Sequence, residues 1–144
     1  MNIVIDANIT VALFVNLPHS SQAEHLFRLW RQQDIELFAP ALWPAEVISA
    51  LRKVVTAGQI GSDDARLALA SLGRFPVQVI VPDATLMDSS LMWAKKLNQT
   101  VAYDAQYIAL AESLAAEFWT ADQRLIRSLH HMQVSWTHWV GDVK

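Results

Sequence analysis

The chain has 144 residues and a net charge of −3, a length that suits one domain with a full hydrophobic core and a balance that carries no whole-chain nucleic-acid signal. Cysteine is absent, which excludes disulfides, zinc–cysteine sites and thiol catalysis, and no apolar run approaches the ~20 residues needed to span a bilayer. Hydrophobic residues make up 53% and charged residues only 17%, above the usual apolar share of about 45–50%, so part of the surface is expected to be covered by a partner or a second copy.

The chain opens on a short apolar run, Ile3–Ile5, with no basic leader before it, and the expectation is a cytoplasmic protein. Ser21 with Glu24 fits a capping box, and Ala23, Leu26, Phe27 and Trp30 then line one helix face. A strand-like run at Leu37–Ala39 precedes a helix over about 42–57. Val47, Leu51, Val54 and Val55 form its stripe, and Gly58 closes it. Ser62 with Asp63 and Asp64 starts another helix, acidic at its dipole-positive end, that stops near Gly73 before Pro76. Strand-like runs follow at Val77–Val81, Val101–Ala102, Phe118–Thr120 and Val134–Trp136. Helices over about 84–97, 104–116 and 123–132 lie between them. Short strands alternating with helices predict an α/β fold, with βαβ units and a mostly parallel sheet covered on both faces.

Four acids stand at the joints of this pattern. Asp6 ends the first strand, Glu46 lies in the first turns of the 42–57 helix, Asp104 opens the 104–116 helix, and Asp122 follows the Phe118–Thr120 run. In a parallel sheet the carboxyl ends of the strands converge on one edge, where ligands bind. Four carboxylates gathered there repel one another unless a cation joins them, and Mg²⁺ or Mn²⁺, hard and oxygen-preferring, meets that need. Taken singly, Asp104 or Asp122 reads as a helix cap and Glu46 as a solvated helix charge. Together, in this order, the four point to a metal site. Asn8 and Thr120 are candidates to hold those acids by hydrogen bonds.

Val4-Ile5-Asp6-Ala7-Asn8, Pro44-Ala45-Glu46-Val47, Tyr103-Asp104-Ala105-Gln106-Tyr107-Ile108-Ala109-Leu110-Ala111 and Thr120-Ala121-Asp122-Gln123-Arg124-Leu125 resemble, in order and spacing, the motifs of the PIN-domain family, and within it the small VapC-type toxin nucleases. The resemblance runs from Ile3 to about Leu129. It implies a three-layer α/β/α PIN-like nuclease domain over residues 1–144. It also implies a metal-dependent endoribonuclease of toxin–antitoxin type, homodimeric and silenced by a cognate antitoxin protein, with RNA as substrate. Asp6 and Asp104 are then the expected direct metal ligands, and Glu46 and Asp122 bind directly or through water. Position 8 is Asn where many relatives carry Ser or Thr, and an amide can still hydrogen-bond a carboxylate or a bound water.

Two other readings compete. A phosphoacceptor receiver domain also gathers acids around Mg²⁺, but it needs an acidic pair after the first strand and a Lys near the last, whereas Asp6 stands alone here. A non-catalytic PIN scaffold is argued against by retention of all four acids. A housekeeping RNA-processing or flap-type nuclease stays inside the same enzyme class. Among weaker features, Arg52, Lys53, Lys95, Lys96, Arg124 and Arg127 could form a phosphate-binding rim, and Trp43 could touch substrate. Glu112 and the five histidines read as solvated or structural; His130 and His131, adjacent on a helix, cannot readily chelate one ion.

Overall fold

In the computed structural model, which describes residues 1–144, every strand of the central sheet is parallel to its neighbours. The strands are β1 (Asn2–Ile5), β2 (Glu36–Pro40), β3 (Val77–Ile80), β4 (Glu117–Thr120) and β5 (Thr137–Trp139), in the order β3-β2-β1-β4-β5. The helices are α1 (Ala7–Ala12), α2 (Ser20–Gln32), α3 (Trp43–Thr56), α4 (Ser62–Leu72), α5 (Ala84–Lys96), α6 (Tyr103–Ser113) and α7 (Gln123–His131).

The sheet is sandwiched because its strands are apolar on both sides. Ile3, Val4 and Ile5 have no exposed surface. Val4, Phe38 and Phe118 face one way, into a core built with α3, α5, α6 and α7. Ile3, Ile5 and Leu37 face the other way, against Ala23, Leu26 and Trp30 of α2. The result is the three-layer α/β/α arrangement. Helix α6 lies deepest: Ala105 and Tyr107 to Ala111 are all buried, and its exposed residues, such as Tyr103 and Glu112, lie at its two ends. No helix is long and apolar enough to cross a membrane.

Three local expectations are corrected. Val101–Ala102 is not a strand; Ala102 is the N-cap of α6 and Val101 is 54% exposed, because α5 packs directly on α6 and leaves these residues no strand partner. The last strand is Thr137–Trp139, not Val134–Trp136, since Val134 is drawn into the core after α7 and Thr137 pairs with Phe118. The Ser21–Glu24 capping box does not form. Helix α2 starts two residues earlier, with His19 as its N-cap, and Ser20 Oγ ties down the preceding turn, accepting from Leu17 N–H (2.8 Å) and donating to the Val15 carbonyl (3.0 Å). Helix α1, six residues with five of them buried, offers no polar face and so no periodicity to read. Gly58 does close α3, with φ of +74°, a conformation that favours glycine.

Candidate functional site

The strand order reverses between β1 and β4: from β1 the chain builds outward through β2 and β3, then returns to place β4 and β5 on the other side. A crevice at the carboxyl ends is expected at such a switch point. The register pairs Ile5 with Trp119, which sets Asp6 beside Thr120 at that edge.

The side chains lock together there. Thr120 Oγ1 donates to Asp6 Oδ2 at 2.7 Å. The same oxygen accepts from Asn8 Nδ2 (3.2 Å) and from the Asp122 backbone N–H (3.0 Å). With its proton committed to Asp6 and its acceptor side filled twice, the hydroxyl has one orientation. Asn8 Oδ1 accepts from Ala121 N–H (3.1 Å), stitching α1 to the end of β4. Thr120 thus holds Asp6 directly, whereas the Asn8 side chain bonds Thr120 and Ala121 rather than an acid. Asp6 occupies the N-cap of α1, yet its side chain makes no capping hydrogen bond. Asp122 does cap, accepting from Leu125 N–H at 3.0 Å through Oδ1. The helix-cap reading therefore fails for Asp104, which lies inside α6 behind the N-cap Ala102, and holds as one role of Asp122.

Two further supports escaped sequence reading. The buried Tyr107 phenol donates to Glu46 Oε1 at 2.7 Å, and Gln99 Nε2 donates to Asp104 Oδ2 at 2.9 Å. Tyr107 lies one helical turn after Asp104 in the most family-like stretch, which was its only signal. Gln99 sits in a loop and had none.

One cavity of about 520 Å³ is lined by Asp6, Asn8, Glu46, Lys53, Asp104 and Asp122, so all four sequence-derived acids meet. Ionisation is unfavourable there. Burial pushes the Asp6 carboxyl from its ordinary 3.8 up to about 7, with the Glu46 and Asp104 charges adding to the shift and the Thr120 hydrogen bond opposing it. Burial raises Glu46 too, against the Tyr107 hydrogen bond and with Asp104 adding to it. Asp104 is raised by burial and by Asp122, with Gln99 opposing. No three of these side chains form a ready-made ligand shell. Even so, an all-oxygen donor set in one cavity, three of whose members lose stability by carrying charge, suits a hard divalent cation.

The expected basic rim shrinks. Lys53 lines the acidic cavity and Arg124 an adjoining one. Arg52 instead lines a groove between α3 and α4, and Lys96 lies over the Trp93 ring at 4.5 Å from its centre. Trp43, read as able to touch substrate, is instead buried in the core and does not line the cavity. Of the five histidines, His130 and His138 have structural partners: His130 Nε2 bonds the Thr137 carbonyl (2.8 Å), and His138 stacks on Trp119 with ring centres 4.7 Å apart. Glu112, exposed as expected, also accepts from Trp93 Nε1 (2.8 Å).

The family model described as PIN domain matches residues 4–137, from the middle of β1 to the first residue of β5. The chain belongs to the PIN-domain family. Among its relatives, ribonuclease VapC9 of Mycobacterium tuberculosis is 35% identical over 123 residues, covering 85% of this chain and 87% of that protein. Ribonuclease VapC3 of Pyrobaculum aerophilum is 33% identical over 126 residues, covering 87% and 92%. A toxin–antitoxin complex from Klebsiella pneumoniae contains a chain of the same fold, with a TM-score of 0.64 and 16% identity, covering 95% of this PIN domain and 96% of that chain.

Proposed function

We propose that this PIN domain is a Mg²⁺- or Mn²⁺-dependent endoribonuclease and the toxin of a toxin–antitoxin pair. The observation that carries the reading is the meeting of Asp6, Glu46, Asp104 and Asp122 in one cavity at the carboxyl ends of the strands. The ribonuclease names of its relatives point the same way. A bound divalent ion would supply an activated water and charge relief at the phosphate.

The chain's own work is positioning. Thr120 fixes the Asp6 carboxylate, Tyr107 fixes Glu46, Gln99 fixes Asp104, and the α7 N-terminus fixes Asp122. Each of these bonds engages one oxygen of its carboxylate. Asp6 and Asp104 are the proposed direct ligands, with Glu46 and Asp122 binding directly or through water. Purified protein should cleave RNA in Mg²⁺ or Mn²⁺, work poorly in Ca²⁺, and stop in EDTA. Undiminished cleavage in excess chelator would sink the mechanism. Mapping RNA ends in cells that express the protein with and without the product of the neighbouring reading frame tests the toxin assignment.

The proposed partners need apolar surface, and the helices offer it. Ile48, Leu67 and Leu69 are exposed on α3 and α4, where a groove of about 210 Å³ runs between the helices. Met87 and Leu91, one turn apart on α5, are 56% and 68% exposed. Two such faces suit a second copy and an antitoxin. At micromolar concentration the free protein should therefore sediment as a dimer or larger species. A soluble monomer throughout that range counts against the homodimer.

A further inference from the structure

Three cavities meet at the carboxylates. The acidic one opens beside a second, of about 420 Å³, bordered by Thr100, Val101 and Tyr103, and a third, of about 220 Å³, that reaches Arg124 and Ser128. Asp104 lines all three. Tyr103, the residue before it, lines the first two and is 58% exposed. Its helix-mate Tyr107 is only 1% exposed and serves Glu46. Leaving an aromatic ring in water forgoes the stabilisation of burying it. An acidic cavity also repels a polyanion, so an RNA strand needs attraction that does not depend on charge, and ring stacking supplies it. Lys53 is the one basic side chain of the acidic cavity, and Arg124 that of the third.

We propose that Tyr103 stacks on a base beside the cleaved phosphate, while Lys53 and Arg124 hold phosphates on either side of the carboxylates. These three substrate-binding residues would then set how the strand lies across the site. The proposal rests on the nuclease reading above. Val101, 54% exposed beside Tyr103, would also suit a protein contact, but the ring shares its cavities with the acids, which favours RNA.

The test is binding of a short, labelled, unpaired RNA to the full chain in Ca²⁺, followed by cleavage kinetics in Mn²⁺. Tyr103→Ala should weaken binding about tenfold, and Tyr103→Phe, which keeps the ring, should restore it. Lys53→Ala and Arg124→Ala should each flatten the dependence of log affinity on log salt by about 0.7, the value for one phosphate contact on a single strand. In cleavage, Tyr103→Ala should raise KM more than it lowers kcat. Wild-type affinity in Tyr103→Ala, no rescue by Tyr103→Phe, or unchanged salt slopes would overturn the proposal. So would a Tyr103→Ala protein that binds RNA normally but changes its sedimentation, since the ring would then belong to a protein interface. If wild type shows Tyr103-dependent binding but cleaves no RNA in any metal, the nuclease reading falls and with it the placement beside a cleaved phosphate, leaving Tyr103 as an RNA-binding residue only. If wild type cleaves and Tyr103 is dispensable, the nuclease reading stands and this one falls.

Discussion

Asp104→Asn should remove nearly all RNA cleavage while leaving the circular-dichroism spectrum unchanged. Asp104 is the acid on which all three cavities converge, and its other contact is tolerant. Gln99 Nε2 donates to one carboxylate oxygen, and the amide of an Asn keeps an acceptor for it. What is lost is the negative charge that would hold the cation. A loss on the order of 10²–10³-fold in kcat is expected, the range for removing one preorganised group that stabilises developing charge. A folded Asp104→Asn protein with full activity would remove Asp104 from the site.

Asp6→Asn should make the metal-free protein more stable. The Asp6 carboxyl is buried, with its pKa raised from 3.8 to about 7. Between those values the folded state holds a proton that the unfolded chain releases, so stability from this group falls as pH rises through the window. Above pH 7 the whole penalty is present, on the order of 4 kcal/mol at most at 1.36 kcal/mol per pH unit. Asn cannot ionise, and its amide oxygen can still accept from Thr120 Oγ1. At pH 8 in EDTA the variant should gain roughly 1–4 kcal/mol, a rise in Tm of several degrees for a protein of this size. Its Tm should also vary less between pH 5 and 8 than that of wild type. Added Mn²⁺ should stabilise it less, because a weaker site transfers less binding energy to the fold. An ordinary structural carboxylate behaves the other way, losing stability on substitution with no dependence on metal. Melts of both proteins in EDTA and in Mn²⁺, at two pH values, separate these outcomes. A lower Tm for Asp6→Asn in EDTA, with an undiminished response to Mn²⁺, would refute the metal site. Asp122→Asn should change apo stability less, since Asn replaces Asp well at an N-cap.

The sequence by itself determined the layering and the acids. Ile3–Ile5 reads as a strand buried on both faces because an uninterrupted apolar run leaves no face for water. The stripes of α2 and α3 could be read because a helix half in water must alternate at its own period. Asp6, Glu46, Asp104 and Asp122 stood out through their positions at element boundaries, which are local properties of the chain.

What only the tertiary structure decided is how distant groups meet. Thr120 orients Asp6 across 114 positions and Tyr107 holds Glu46 across 61, pairings that follow from sheet register and helix packing and leave no periodic trace. The same is true of the separate roles of Asp6 and Asp122, identical residues of which one caps a helix and the other does not. Burial decided the rest. It drew Val134 inward and moved the last strand to Thr137, it placed Trp43 in the core, and it left Tyr103 in water beside Asp104. Solvent exposure of a side chain is set by the whole surrounding shell of contacts, and no local window of sequence contains that shell.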